Sequence, residues 1–169
     1  EKLNFPVKFF YEKPQKIEIG STYFRALLTT SQRYRDQQDE KMELLAYIYT
    51  FLQEYIDFPK LNVPNCIGRS PDEAAMLLRK QWKLENKPIE NLIAVVEQNG
   101  ILVTTFDIST TDIDAFSKKL YVNQEPIYLI GYSNNKTSAA RIHFDIAHEL
   151  GHVCLHGFDE KVESMDKEE

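Results

Sequence analysis

The sequence predicts an α+β fold, in which helical segments lie on both sides of a small antiparallel sheet along the chain. Three short runs of β-branched and apolar residues follow Gly100 and have the length of strands. These runs are residues 101–106, 119–122 and 127–130. The polar residues Asn123-Gln124-Glu125-Pro126 predict a hairpin between the last two runs. A helix is predicted after the strands, from about 139 to 156, with Ser138 as its cap.

The N-terminal part predicts an arm that precedes the main domain. Residues 1–20 indicate an extended lead-in, and residues 21–57 indicate a helix. Its apolar stripe consists of Leu44, Leu45, Ile48, Phe51, Leu52 and Tyr55. Prolines within 58–65 predict a boundary, which gives a lead-in and helical linker arm over 1–60 and a main domain over 61–169. The stripe fits either packing on its own domain or a homodimer, and both remain open.

Two shorter helices are predicted between the arm and the strands. Ser70, Pro71 and Glu73 form the pattern of an N-cap, a first-turn proline and a capping box. The apolar face of that helix consists of Ala74, Leu77, Leu78 and Trp82. A second helix is predicted from about 89 to 98, and Asn99-Gly100 ends it.

Composition excludes several classes of function. The net charge of −6 argues against a nucleic-acid surface on this segment, because phosphate binding needs clustered Lys and Arg. No apolar run is long enough to span a membrane, and residues 1–6 do not resemble a signal peptide. Cys66 and Cys154 are too few for a disulfide framework, so we expect two reduced, packed thiols and a cytoplasmic protein.

The last predicted helix carries His148-Glu149-Leu150-Gly151-His152. Residues four apart lie on one helix face, so His148 and His152 can bind one Zn²⁺ ion. Glu149 lies beside the first ligand, where it can act as the base that takes a proton from the attacking water. A chance match is the alternative. The apolar flanks predict a largely buried helix, however, and two histidines and a glutamate buried without a function would be costly.

Neighbouring residues complete the prediction only in part. Gly151 costs roughly 1 kcal/mol in a helix relative to Ala, which suggests close approach of a strand or of substrate. His156 is interpreted as a helix-end histidine, and His143 as structural or exposed. A catalytic zinc site usually has three protein ligands, so one ligand is missing from the motif. The acidic candidates for it, each more simply a solvated tail residue, are Asp159, Glu160, Glu163, Asp166, Glu168 and Glu169.

Several stretches together resemble the ImmA/IrrE family of metallopeptidases over about residues 60–160. Around the motif these are Arg141, Phe144, Ala147 and the run from His148 to His156. Upstream they are Ser70–Ala75, Leu78-Arg79, Pro88–Leu92, Ile113–Ser117 and Pro126–Leu129. Leu3–Phe10 also looks like the segment that follows an XRE-type helix-turn-helix domain in fused regulators. His143 and Asp145 depart from the commoner pattern of the family.

The resemblance implies a zincin-like minimal metallopeptidase, truncated at its C-terminus, whose third zinc ligand is a glutamate beyond residue 169. It implies the C-terminal part of a transcriptional regulator that cleaves a repressor or partner regulator and controls genes of a mobile element or a stress response. DNA would be contacted only through a helix-turn-helix domain outside this chain. The alternative is a non-catalytic sensor domain that binds a peptide or another ligand and controls the fused DNA-binding domain.

Overall fold

In the computed structural model, the described residues are 7–11, 18–23, 32–106, 115–122, 125–134 and 138–156. The helices are α1 (Gln32–Gln53), α2 (Pro71–Gln81), α3 (Leu92–Gln98) and α4 (Ala139–Leu155). The strands are β1 (Glu18–Tyr23), β2 (Ile101–Phe106), β3 (Ala115–Val122) and β4 (Glu125–Ser133). A short 3-10 helix spans Val7–Tyr11. This composition confirms the predicted α+β class.

The four strands form one sheet in the order β1-β3-β4-β2. The predicted hairpin is confirmed, because β3 and β4 pair antiparallel from Ala115 opposite Tyr132 to Val122 opposite Glu125. The sheet is mixed rather than wholly antiparallel, since β2 pairs parallel to β4. The reason is topological: β4 lies between β3 and β2, and it runs antiparallel to β3 but in the same direction as β2.

Strand residues alternate between two helical layers. On β4, Ile130 belongs to the main core with α2, α3 and α4, whereas Leu129 packs with Met42 of α1 on the opposite face. Successive side chains of a strand point to opposite faces, so α1 covers one face of the sheet and α4 the other. α4 packs against β3 and β4, which places its inner side directly over the strands.

The N-terminal arm differs from its prediction in two ways. Residues 18–23 form a strand that pairs with β3, although residues 21–23 belong to the predicted helix, and the helix that the structure describes spans Gln32–Gln53 rather than extending to residue 57. The buried side of α1 carries Met42 and Ala46, because these positions face the sheet. Most of the predicted stripe lies on the other side. Its exposed members are Leu44, Ile48, Phe51 and Tyr55. The domain boundary at residue 60 stays a prediction.

The loops around α2 and α3 follow the predicted capping pattern. The Ser70 hydroxyl accepts from the Glu73 amide, and the Glu73 carboxylate accepts from the Ser70 amide, which completes the capping box. α3 is shorter than predicted and begins at Leu92, after Asn91 as its N-cap. Gly100 follows with φ +82, and a Cβ there would lie 2.5 Å from the backbone carbon of Lys60. Both facts explain a glycine at this position.

No helix among the described residues is long and apolar enough to cross a membrane. The two cysteines, Cys66 and Cys154, are buried and free, as the sequence predicts. The Cys66 amide donates to the Cys154 carbonyl at 3.0 Å, which ties the loop before α2 to the end of α4.

Candidate metal centre

Helix α4 presents its buried and accessible residues on different sides. Ile146, Leu150 and Val153 recur at spacings of four and three and are buried in the main core. Ser138 is the N-cap, although its side chain makes no capping hydrogen bond. The accessible side carries His148, which is exposed, and His152, which is half-buried. The predicted burial of the helix therefore holds for its inner side and for Glu149, whereas His148 is exposed, because that face of α4 points away from the sheet.

The two histidines meet at their outer ring nitrogens. Nε2 of His148 and Nε2 of His152 are 3.1 Å apart, and the ring planes are perpendicular. Zinc binds imidazole nitrogens at 2.0–2.1 Å in tetrahedral geometry, which separates two such ligand atoms by about 3.3 Å. The pair therefore fits a zinc ion without rearrangement of the helix. Without an ion, one ring can donate to the other at the same distance.

Glu149 is the buried member of the group. Potential ligand atoms of His148, Glu149 and His152 all lie within 4.8 Å of one another. The Glu149 carboxylate faces the sheet, where its Oε2 accepts a hydrogen bond from the Ser117 hydroxyl at 2.7 Å. One carboxylate oxygen is thus engaged by β3, while the group as a whole stays next to the histidine nitrogens. This is the position that a base beside a metal needs.

Burial raises the pKa of Glu149 to about 7, from its usual 4.5. Water cannot solvate the ionised carboxylate there, and the negative charge of Asp145 raises the pKa further. Hydrogen bonds from the Ser117 side chain and backbone act in the opposite direction, because they stabilise the carboxylate. Glu149 therefore changes protonation near neutral pH rather than in the acidic range.

Asp145 lies one turn before Glu149 and is also buried. Its Oδ1 is 3.3 Å from Nε of Arg141, an ion pair between residues four apart on the helix. This contact partly compensates the negative charge of Asp145, which is not a member of the His148–Glu149–His152 group. Asp145 is thus a structural neighbour of the site rather than a member of it.

The remaining sequence candidates divide into two sets. His156 caps the C-terminus of α4, and its ring lies 5.3 Å from that of His152, which agrees with a helix-end histidine. His143 is half-buried and is not part of the His148–Glu149–His152 group. The acidic candidates for a third ligand, between Asp159 and Glu169, lie outside the described residues.

Ser117 is the site residue that sequence reasoning missed. In the sequence, Ser117 stands out only as the last residue of Ile113–Ser117, a stretch that resembles the family. A signal for it exists, because Ser117 is a small polar residue between Phe116 and Lys118 in a strand whose side chains alternate between two covered faces. Only the pairing of β3 under α4 shows that Glu149 is the group it contacts.

An α+β domain whose last described helix carries two histidines and a glutamate in the pattern H-E-x-x-H has a donor set that could hold a metal ion, as in metallopeptidases. Residues 96–169 match the IrrE N-terminal-like domain, Peptidase_M78. This family suggests a metallopeptidase, in agreement with the resemblance seen in the sequence. No curated protein and no solved structure matches the chain.

Proposed function

We propose that the chain is the zinc-dependent endopeptidase domain of a cytoplasmic transcriptional regulator, and that it cleaves a repressor or partner regulator. The observation that carries this proposal is the approach of two imidazole nitrogens to 3.1 Å beside a buried carboxylate. The match of residues 96–169 to a peptidase family supports the reaction class. The buried, free cysteines support a reducing compartment.

The residues divide the chemistry between them. His148 and His152 would hold the ion through Nε2. Zinc, when bound, supplies a Lewis acid that polarises a peptide carbonyl and lowers the pKa of water to about 7. Glu149 takes the proton from the attacking water and delivers it to the leaving amine. The Ser117 hydroxyl donates to Oε2 of that carboxylate and so fixes its orientation relative to β3.

The second part of the proposal is that the peptidase domain is fused to a DNA-binding domain and controls transcription. The resemblance of residues 3–10 to the segment after an XRE-type helix-turn-helix domain supports a fusion in which that domain contacts DNA. The net charge of −6 also supports DNA contact through the fused domain rather than through this chain, because an acidic surface repels the phosphates of DNA. Cleavage of the repressor would then allow transcription of genes of a mobile element or of a stress response.

The test is cleavage of the partner repressor by the full-length regulator. Wild-type protein loaded with zinc is incubated with the repressor, in parallel with Glu149→Gln. Gln preserves the shape of the side chain and an acceptor for Ser117, but it cannot take a proton. We expect cleavage by the wild type only, lost again on chelation. Equal cleavage by both proteins would exclude this mechanism.

A non-catalytic sensor domain is the second candidate. Among the described residues, His148, Glu149 and His152 are the only group of three potential ligands, and Glu149 has the position of the base. A third metal-binding side chain, which a catalytic zinc site usually has, is therefore not found among the described residues. A sensor domain that only binds a peptide does not require such a side chain. Metal analysis separates the two candidates: one zinc per full-length chain favours the peptidase, and no stoichiometric zinc favours the sensor.

A further inference from the structure

Two cavities are lined by residues from the last turns of α4. The first lies between α2 and α4, and it belongs to the metal centre because His148, Gly151 and His152 line it. Apart from neighbours along α4, no described residue comes within 4 Å of a Cβ placed at Gly151, so the predicted close approach of a strand is wrong there. The second cavity shares only Cys154 and His156 with the first and is a separate space.

The second cavity has a volume of about 240 Å³. Its walls come from the loop over residues 61–67, from β3 and β4, and from the end of α4. Among the described residues that line it, Lys119 carries the only permanent charge, and none is acidic. An apolar cavity of about 150 Å³ is enough for a benzene ring. The second cavity therefore has room for a small charged group together with a short side chain.

Lys119 is a buried lysine whose ammonium group is held in place by two tyrosines. Its side chain comes from β3, and the residue is only 8% exposed. Nζ lies 5.1 Å from the centre of the Tyr121 ring and 5.8 Å from that of Tyr128. Both distances are within the range of a cation–π interaction. The cavity thus has a positive charge at a fixed position in its wall.

Neutralisation of the C-terminus of α4 is the alternative role for this charge, because α4 ends at the same cavity. A helix C-terminus is equivalent to about half of a negative charge, however, so it compensates only part of a full positive charge. An ammonium group also has three N–H donors, and it can bind an anion in addition to an acceptor from the protein. A positive charge with little access to water favours an anion as the occupant.

Asn65 provides a second donor in the wall of the cavity. Its Oδ1 accepts a hydrogen bond from the Ile67 amide at 3.1 Å, which fixes the orientation of the side-chain amide. The NH2 group of Asn65 makes no hydrogen bond to the described residues and can donate to a ligand. Leu61, Val63 and Ile67 contribute apolar side chains to the same wall. The cavity therefore combines donors for an oxyanion with an apolar surface.

We propose that this cavity binds a carboxylate that carries a short apolar group. The carboxylate accepts hydrogen bonds from Lys119 and Asn65, and the apolar group packs against Val63 and Ile67. The C-terminal residue of a peptide and a free carboxylic acid share this chemistry. The inference goes beyond the proposed function, because binding at this place requires neither a zinc ion nor Glu149.

Two small probes of equal size test the site. N-acetyl-leucine carries a carboxylate and a short apolar side chain, and N-acetyl-leucinamide differs from it only in the missing charge. Both are titrated calorimetrically into the full chain, once with zinc and once with a chelator. We expect the acid to bind at least about tenfold more tightly than the amide under both conditions, because hydrogen bonds to charged groups are stronger than those to neutral groups.

Lys119→Met removes the charge but preserves the length of the side chain, and it should weaken binding of the acid at least about tenfold. Lys118→Met is the matched control. Lys118 is also buried on β3, but successive residues of a strand point to opposite faces of the sheet, so this variant should bind like the parent. Asn65→Asp needs no buried substitution, because residue 65 is exposed. It keeps the acceptor for Ile67, replaces the donor with a negative charge, and should also weaken binding of the acid.

Equal affinities of the parent protein for the acid and the amide, or binding of neither, would overturn the inference. Unchanged binding of the acid by Asn65→Asp, or by a folded Lys119→Met, would overturn it as well. Titrations with 4-methylpentanoate and with a peptide that ends in leucine then distinguish the two sources, and tight binding of either supports the site. Failure of the proposed function looks different, because it appears as absence of zinc or as cleavage that does not require Glu149.

Discussion

Ser117 and Glu149 are joined by a hydrogen bond of 2.7 Å between residues 32 apart in the sequence. The serine lies in β3 and is fully buried, and the glutamate lies on the inner side of α4. The contact fixes the carboxylate of the H-E-x-x-H motif relative to the sheet rather than to its own helix. The orientation of Glu149 toward the histidine nitrogens therefore depends on how β3 packs under α4.

Replacement of Ser117 by Ala should impair turnover more than binding. The carboxylate would lose a donor that lowers its pKa and fixes one oxygen, so we expect kcat to fall roughly 10- to 100-fold, at the lower end of the effects typical for acid–base groups. KM and zinc content should change little. Loss of the buried hydrogen bond should also lower the free energy of unfolding by about 1–3 kcal/mol.

Ser133→Ala is the matched control for that experiment. Ser133 is also a buried strand serine, but it lies on β4 opposite Phe106 in the register. Its loss should affect stability without selectively lowering kcat. If both variants reduce kcat to the same extent, or if Ser117→Ala acts only through KM, then Ser117 does not position Glu149.

The raised pKa of Glu149 predicts a pH dependence of stability in the zinc-free protein. The folded-state pKa is about 7 and the usual value is 4.5. The folded state therefore holds this proton more tightly than the unfolded state. The contribution of Glu149 to stability should be greatest below about pH 4.5 and should be lost as the pH rises through 7. The loss should reach at most about 3 kcal/mol, because a tenfold difference in proton affinity between the two states corresponds to about 1.36 kcal/mol.

Urea denaturation with a chelator at pH 5 and pH 8 measures this effect. Other carboxylates also titrate in this range, so the quantity to compare is the difference between wild type and Glu149→Gln. The variant should lose less stability between the two pH values than the wild type does. Identical losses in the two proteins would mean that Glu149 is ionised throughout.

The sequence predicted the elements of the site better than their arrangement. His148, His152 and Glu149 share one short segment, so helical periodicity alone brings the two imidazoles together. Ser117 is different, because its role depends on which strand lies beneath α4. Likewise, the parallel pairing of β2 with β4 follows from the insertion of β4 between β3 and β2, which no local pattern specifies.

For α1 as well, the sequence predicts the helix but not which of its sides packs against the sheet. Both sides of α1 carry apolar residues, so periodicity could not tell the side that contacts the sheet from the side that stays exposed. The structure buries Met42 and Ala46 and leaves Ile48 and Phe51 exposed. We therefore expect Met42→Ala to lower the free energy of unfolding by about 2–5 kcal/mol, and Ile48→Glu to change it by less than about 0.5 kcal/mol.

Ile48→Glu also tests the proposed homodimer. Exposed side chains at 44, 48 and 51 of α1 have the spacing of a helix–helix seam, and a charge at residue 48 should dissociate a dimer that uses it. Sedimentation of wild type and variant gives the answer. Met76→Glu is the control, because Met76 is also an exposed apolar residue but lies on α2. A dimer that persists in Ile48→Glu, or a monomeric wild type, would contradict association through α1.

Zinc binding should depend on His148 and His152 and not on His143. Because a tetrahedral ion can take both Nε2 atoms as they stand, removal of either ring leaves one imidazole and should abolish stoichiometric zinc in His148→Ala and His152→Ala. His143→Ala removes a ring from the same helix but outside the ligand group, so its zinc content should equal that of the wild type.

Thermal denaturation provides a second measurement of the same prediction. An ion that binds only the folded chain stabilises it by about 2.7 kcal/mol at a free concentration of 100 Kd. Added zinc should therefore raise the Tm of the wild type and of His143→Ala, and leave both ligand variants unchanged. If His148→Ala still gains stability from zinc, then the ion is held elsewhere, and the short distance between the two histidines is only a hydrogen bond.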